Sequence, residues 1–280
     1  MKTTRPSCKI LVFDSGVGGL TVSREILAKT PGCHLIYLAD NDRFPYGVIA
    51  DETLIARILL VLARAIDQTQ PDIVVIACNT ASTLALAILR AEHPGVEFVG
   101  VVPAIKPAVN LSRSGVIGLL ATPATINRPY TNRLIEEFAN GMTVIRYGSR
   151  ELVCLAEEWL VGQQTNSAVL YQEIDNLLNQ PGAQHMDTVV LACTHFPIFR
   201  PHISQLNRFQ HLQWIDSGSA IANRVAFLIE KKQLTLSAAS STEFLFSRND
   251  TPANLRDHFI LFLGLDEKSA GPGSIVEIYE

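Results

Sequence analysis

Asp72-Ile-Val-Val-Ile-Ala-Cys78-Asn79-Thr80 and, 115 residues later, Asp187-Thr-Val-Val-Leu-Ala-Cys193-Thr194-His195 are one pattern occurring twice in the chain. Each copy is a short continuous apolar run, opened by an aspartate and closed by a cysteine and small polar residues. An apolar run of that length without alternation reads as a strand buried on both faces of a parallel sheet. Ligands of open α/β sheets sit outside the carboxyl ends of the strands. Both thiols are therefore expected at a functional edge, a nucleophile or base on each side of one site.

Outward from the two runs, strand and helix patterns alternate, the mark of an α/β protein built from parallel units. Lys9 to Phe13 reads as the first strand, ending on Asp14-Ser15-Gly16-Val17-Gly18-Gly19, with a helix from Leu20 to Lys29 and a strand from His34 to Ala39. Apolar residues at 54, 55, 58, 59, 62 and 66 mark a helical stripe over Thr53 to Gln68. The first cysteine run follows, then a helix from Ala81 to Glu92 and a strand from Val96 to Val102, which Pro103 and Pro107 end. The pattern then restarts. Val116 to Ala121 is a strand with Thr122-Pro123-Ala124-Thr125 at its end, followed by a helix over 126–139, a strand over 143–147, helices over 151–161 and 168–179, and the second cysteine run. Leu212 to Ile215 ends on Asp216-Ser217-Gly218, an echo of Asp14-Ser15-Gly16. A helix, a strand from Glu243 to Ser247 and a helix begun by Thr251-Pro252 complete the reading. The expected architecture is two similar α/β domains, residues 1–102 with 216–280 and residues 103–215. Each is a mostly parallel sheet flanked by helices, the two related by pseudo-twofold symmetry with the active site in a cleft between them.

Composition sets the outer bounds. The 280 residues are 48% apolar and 18% charged, with a net charge of −4, ordinary for a globular protein and without the basic field that nucleic acid or an anionic membrane attracts. No run reaches the roughly 18–20 apolar residues needed to span a bilayer. Residues 1–7 run straight into the first strand with no secretory core ahead of it, and a cytoplasmic protein is expected. Five cysteines without a CxxC pair argue against a disulfide framework or zinc ribbon. Cys8, Cys33 and Cys154 are read as small buried hydrophobes; Cys78 and Cys193 stand apart because their setting is shared.

A free thiol is only a few per cent thiolate at neutral pH. The unpaired N–H groups of a helix start favour the anion, and both cysteines directly precede an expected helix start. Thiolates so placed serve as covalent nucleophiles or as Brønsted bases. Two on opposite walls suit removal of a proton from one face of a carbon and delivery to the other; one alone suits acyl transfer or hydrolysis. Asn79, Thr80, Thr122, Thr125 and Thr194 offer amide and hydroxyl groups to a small zwitterion or diacid. Asp14 can accept from an ammonium or orient a thiol, and His195, two residues beyond Cys193, can tune that thiol or carry protons. Gly16-Val17-Gly18-Gly19-Leu20-Thr21 lacks the third glycine of a dinucleotide fingerprint, and no phosphate-loop motif is present. A Cys-x-His without a second local pair is poor metal spacing, so no metal is expected.

Phe13-Asp14-Ser15-Gly16-Val17-Gly18-Gly19-Leu20, Phe44-Pro45-Tyr46-Gly47, Ala77-Cys78-Asn79-Thr80-Ala81-Ser82, Leu120-Ala121-Thr122 with Thr125, and Ala192-Cys193-Thr194-His195-Phe196-Pro197 occur in that order over most of the first 200 residues. Together they resemble the glutamate racemases of the aspartate/glutamate racemase superfamily. The resemblance implies cofactor-independent interconversion of L- and D-glutamate, with D-glutamate going to bacterial peptidoglycan. It implies Cys78 as the base for the D isomer, assisted by Asp14, and Cys193 as the base for the L isomer, assisted by His195. Asp14, Ser15, Tyr46, Gly47, Asn79, Thr80, Thr122, Thr125, Thr194 and His195 would line the substrate site. A helix carboxylate is also implied, with Glu157 the best match and Glu151 and Glu158 its rivals. Some members need UDP-N-acetylmuramoyl-L-alanine as activator, and the family forms dimers, so an activator and a homodimer are expected partners. The segment after Ser237 carries none of the motifs. An aspartate racemase or a one-cysteine decarboxylase is the nearest rival, the latter disfavoured by the second cysteine. A two-lobed amino-acid-binding protein is the rival of another class.

Overall fold

The computed structural model describes residues 7–163, 166–248 and 255–275. The chain forms two compact units, one of residues 1–101 and 218–280, the other of residues 102–217.

In the first unit the chain runs β1 (Lys9–Asp14), α1 (Leu20–Lys29), β2 (His34–Ala39), α2 (Asp51–Thr69), β3 (Ile73–Ile76), α3 (Asn79–Glu92) and β4 (Glu97–Gly100). It then passes into the second unit, which begins with α4 (Ile105–Leu111). Pro107 lies within the first turn of α4, where its missing N–H has no partner to lose. There follow β5 (Val116–Ala121), α5 (Pro123–Ile126), α6 (Pro129–Phe138), β6 (Thr143–Gly148), α7 (Glu151–Leu160), α8 (Ser167–Leu178), β7 (Thr188–Leu191), α9 (Arg200–Ser204) and β8 (Gln213–Ile215). The helix expected over 126–139 is two helices. Arg128, ahead of Pro129, takes the extended conformation that a following proline imposes, and this breaks the run. The chain returns to the first unit through α10 (Gly218–Lys231), β9 (Ser241–Phe246), α11 (Leu255–Leu263) and β10 (Ala270–Ile275). The expected helix start at Thr251-Pro252 lies outside the described residues. β10 had no counterpart in the sequence reading, because Ala-Gly-Pro-Gly-Ser-Ile lacks the apolar continuity that marks a strand.

Every described strand pairing is parallel. The first sheet has the order β10-β9-β2-β1-β3-β4 and the second β6-β5-β7-β8. The order 2-1-3-4 of the first unit is the order 6-5-7-8 of the second. In each, the chain leaves its first strand to one side and returns on the other, which makes a topological switch point between β1 and β3 and between β5 and β7. The two cysteine runs supply β3 and β7, and all four residues of each strand are buried. The repeated pattern thus occupies equivalent places in two sheets.

The aspartates that open the two runs hold the opposite ends of these strands. Asp72 accepts from the backbone N–H of Lys9 at 2.8 Å, at the start of β1. Asp187 accepts from Ser112 Oγ and from the backbone N–H groups of Arg113 and Ser114 at 2.7 to 2.8 Å, just before β5, and from Thr188 Oγ1 at 3.0 Å. Burial opposes ionisation of Asp187, but the four donors outweigh it and hold the carboxyl at about 2. Cys8 and Cys33 are buried as expected, and burial pushes the Cys8 thiol up to about 12. Cys154 is exposed, against expectation. Its neighbours Val153 and Leu155 are buried, so it sits on the outer side of a two-sided helix whose apolar sequence masked the orientation. No described helix is long and apolar enough to cross a membrane.

Candidate active site

The first unit places its chemistry beyond the ends of β1 and β3. Cys78 is the N-cap residue of the 14-residue helix α3, only 7% exposed, with its backbone carbonyl accepting from Ser82 N–H at 2.8 Å. It stands where the free N–H groups of a regular helix face outward, the setting that stabilises a thiolate. Ser15 Oγ lies 3.9 Å from Cys78 Sγ and 3.5 Å from Asp14 Oδ1, while Gly16 N–H donates to the same oxygen of Asp14 at 3.0 Å. Asp14 is fully buried. The glycine-rich turn is needed here for contact: a Cβ on Gly19 would lie 2.8 Å from Asp14 Cβ and 3.0 Å from Tyr37 Oη. Asn79 and Thr80 are buried in the first turn of α3, and Asn79 Oδ1 has no hydrogen-bond partner among the described residues. A buried acceptor left open beside a thiol is a place for a ligand's donor.

Tyr46 and Gly47 belong to a short 3-10 turn, Tyr46–Val48, after the cis Phe44–Pro45 bond. Tyr46 is buried in the same apolar cluster as Cys78 and donates from Oη to Asp40 Oδ2 at 2.5 Å. Asp40, also fully buried, is gripped by Arg57 of α2, Nη2 to Oδ1 at 2.7 Å and Nε to Oδ2 at 3.0 Å. Burial raises the Tyr46 hydroxyl well above its ordinary range, and the Asp40 and Cys78 charges push it the same way. Tyr46 is therefore neutral and committed as a donor. Asp40 and Arg57 were not singled out from sequence. Their one visible signal, an acidic residue directly after the β2 run, is common at strand ends.

The second unit is built differently. Cys193, 6% exposed, lies two residues beyond β7 and is followed by a 3-10 turn, Phe196–Phe199, and the five-residue α9. The regular helix start expected after it is absent. Phe196, Pro197, Ile198 and Phe199 are all buried, and prolines at 197 and 201 interrupt the hydrogen-bond ladder a longer helix would need. In its place stands a relay. Cys193 Sγ is 3.6 Å from His195 Nδ1, and His195 Nε2 is 2.7 Å from Glu157 Oε1 of α7. Burial alone would lower the His195 pKa, but hydrogen bonds to Cys193 and Glu157 and the charges of both outweigh it and raise the pKa well above the ordinary range. His195 is thus set to hold a proton between Cys193 and Glu157. Of the three candidate glutamates, Glu157 reaches His195. Glu151 Oε2 accepts from the Arg150 N–H at 3.1 Å, and Glu158 is exposed.

Thr122 caps α5, its Oγ1 2.9 Å from Thr125 Oγ1, and Thr125 is buried. Thr194 is buried between Cys193 and His195 in sequence. The structure therefore brings Ser15 to Cys78 with Asp14 next to Ser15, His195 to Cys193 with Glu157 next to His195, and Thr122 to Thr125. Among the described residues no group of three or more His, Cys, Asp or Glu side chains is placed to hold a metal ion.

Comparison with known proteins gives a consistent result. The family model for Asp/Glu/Hydantoin racemase matches residues 18–225. A glutamate racemase of Vibrio cholerae is 48% identical over 225 residues, which cover 80% of this chain and 82% of the relative. One of Photorhabdus laumondii is 46% identical over 255 residues, 90% of this chain and 86% of the relative. Among solved structures, Escherichia coli glutamate racemase in complex with L-glutamate and the activator UDP-MurNAc-ala superposes with a TM-score of 0.86 at 36% identity, covering 98% of this chain and all of that one.

Proposed function

The chain belongs to the Asp/Glu/Hydantoin racemase family, and we propose that it interconverts L- and D-glutamate without a cofactor, using Cys78 and Cys193 as its two bases. It is an isomerase, an amino-acid racemase. The observation that carries the two-base reading is the placement of two nearly buried thiols at equivalent switch points of two like sheets, each with its own activating group.

The two thiols have unlike neighbours, and the proposed chemistry uses that difference. Starting from L-glutamate, the Cys193 thiolate takes the α-proton, its charge compensated by the His195 imidazolium, which Glu157 steadies. The Cys78 thiol, beside Asp14 and Ser15, gives its proton to the opposite face of the carbanion and is left as thiolate. From D-glutamate the same steps run in reverse. A thiolate is a weak base for an α-proton, so the carbanion has to be met by fixed donors in a water-poor site. The N–H groups at the start of α3, the side-chain N–H of Asn79, Thr80, Thr122, Thr125 and Thr194 are the groups proposed to receive the carboxylates, with the open Asn79 Oδ1 facing the ammonium and Ser15, Tyr46 and Gly47 in the same lining. The product, D-glutamate, goes to peptidoglycan synthesis in the cytoplasm. The likeness to the E. coli enzyme, whose crystal holds UDP-MurNAc-ala, supports dependence on an activator of that kind. A homodimer is proposed as the working form.

Each glutamate enantiomer incubated in D₂O, with and without UDP-N-acetylmuramoyl-L-alanine, tests the reading. Loss of optical rotation with solvent deuterium at the α-carbon is expected from both isomers, and the activator is expected to raise the rate. Folded protein that neither racemises nor exchanges under either condition refutes it. Cys78→Ser and Cys193→Ser should each abolish racemisation; wild-type rate in either variant refutes the two-base assignment.

A further inference from the structure

The segment after Ser237 carries none of the motifs, yet it stands directly behind one wall of the site. Phe259 of α11 is fully buried and meets the ring of Tyr37 edge to face, with centroids 5.6 Å apart, while Phe244 and Phe246 of β9 pack against Phe259 at 5.5 and 5.9 Å. Tyr37 lies in the middle of β2 and is itself fully buried. A phenylalanine would fill that apolar space equally well, and a hydroxyl there is costly unless it has a partner. Its partner is the backbone of the catalytic turn: Tyr37 Oη donates to the carbonyl of Gly16 at 2.6 Å. Gly16 is thus held from two sides, since its N–H donates to Asp14 Oδ1 at 3.0 Å. Gly19 leaves the room for this, because any Cβ there would press on Tyr37 Oη and Asp14 Cβ together.

We propose that Tyr37, buttressed by Phe259 of the C-terminal helix, is a positioning residue for the Cys78 half of the reaction. It fixes the Asp14-Ser15-Gly16 turn, and so the Ser15 hydroxyl beside the thiol and the Asp14 carboxylate next to that hydroxyl. The proposal rests on the two-thiol reading and assigns the C-terminal segment a role in the chemistry of one isomer. Tyr37→Phe keeps the ring and its contact with Phe259 and removes the hydroxyl that donates to Gly16. Phe259→Leu keeps that hydrogen bond and loosens the ring behind it.

Racemisation cannot separate the two halves, since both thiols act in each turnover. Elimination can. With N-hydroxyglutamate, removal of the α-proton by a single thiolate expels the hydroxyl from nitrogen as water, and the resulting imine hydrolyses to 2-oxoglutarate and ammonia. Tyr37→Phe is expected to lower kcat for elimination from the D isomer, the one assigned to Cys78, by about tenfold or more, the scale on which a misplaced catalytic group costs rate. The L isomer is expected to change less than about twofold on the same scale, and Phe259→Leu to show the same bias more weakly. Melting temperatures of both variants are read alongside, and if Tyr37→Phe does not fold, Phe259→Leu decides. An equal fall for both isomers, or no fall for either, overturns the proposal. Absence of elimination from both isomers in the parent protein refutes the two-thiol reading instead.

Discussion

Replacing Glu157 by Gln keeps the length of the side chain and an oxygen that can accept from His195, and removes only the charge. Glu157 Oε1 lies 2.7 Å from Nε2, and the imidazole is almost wholly buried, so that charge is poorly screened where it acts. A hydrogen bond with a charged partner contributes about 1.5–3 kcal/mol, against about 1 kcal/mol for a neutral one. The variant therefore loses about 1–2 kcal/mol of imidazolium stabilisation. The side chain of Glu157 is 22% exposed, which favours the lower figure, and the His195 pKa is expected to fall. The pKa of His195 is raised in the folded protein. Its contribution to stability is thus fully present below the unfolded value of about 6.5 and is lost as pH rises through the folded pKa. Glu157→Gln should accordingly destabilise the protein by about 1 kcal/mol near pH 6 and by progressively less in alkali. Urea unfolding across that range measures the difference, and an NMR titration of the His195 ring measures the pKa itself, with exposed Glu158→Gln as control. In racemisation, the enantiomers have equal free energy, so kcat/KM must fall equally in both directions, by about tenfold for each 1.4 kcal/mol lost from the transition state. An unchanged His195 midpoint in Glu157→Gln, or an equal shift in the control, refutes the argument.

Asp187→Ala removes a carboxyl held at about 2, below its unfolded value of about 3.9. With a discount for its partial exposure, the loss at pH 7 is about 1–2 kcal/mol, and parent and variant should converge in urea melts as pH falls from about 4 through 2. Gly19→Ala forces a Cβ to within 2.8 Å of Asp14 Cβ, so a destabilisation of about 1–3 kcal/mol and a lower kcat are expected, read by thermal melt and racemisation assay. A variant as stable and active as the parent would show that the turn has slack. Asn79→Ala deletes an acceptor without a partner among the described residues. Stability should move by less than about 0.5 kcal/mol, while KM for glutamate rises about tenfold through loss of a hydrogen bond to a charged ligand. A large fall in Tm with KM unchanged would assign Asn79 to the scaffold instead.

The site was legible in sequence wherever its chemistry lay next to a strand end. Cys78, Asn79 and Thr80, Cys193, Thr194 and His195, and Asp14 and Ser15 all adjoin apolar runs that announce their own strands. Where a group comes from a separate element, local pattern was silent or ambiguous. Glu151, Glu157 and Glu158 all lie on α7, and only the rotation of that helix in its packing decides that Glu157 meets His195. The same holds for Cys154, which shares an apolar helix yet faces outward, and for Arg57, whose partner Asp40 is 17 residues away.

The sequence by itself determined the buried strands and the twofold occurrence of their central motif, because burial on both faces of a parallel strand demands an uninterrupted apolar run, unlike the spaced stripe of an amphipathic helix. Tertiary structure decided how alike the two halves are. Both cysteines close the same strand of the same sheet order. One then meets the first turn of a long regular helix, with a hydroxyl beside it and a carboxylate next to that hydroxyl. The other meets a proline-broken 3-10 turn and a histidine steadied from another helix. The difference is physical: hydrophobic burial is written residue by residue along the chain, whereas the electrostatics of a thiol depend on groups that folding brings to it from elsewhere.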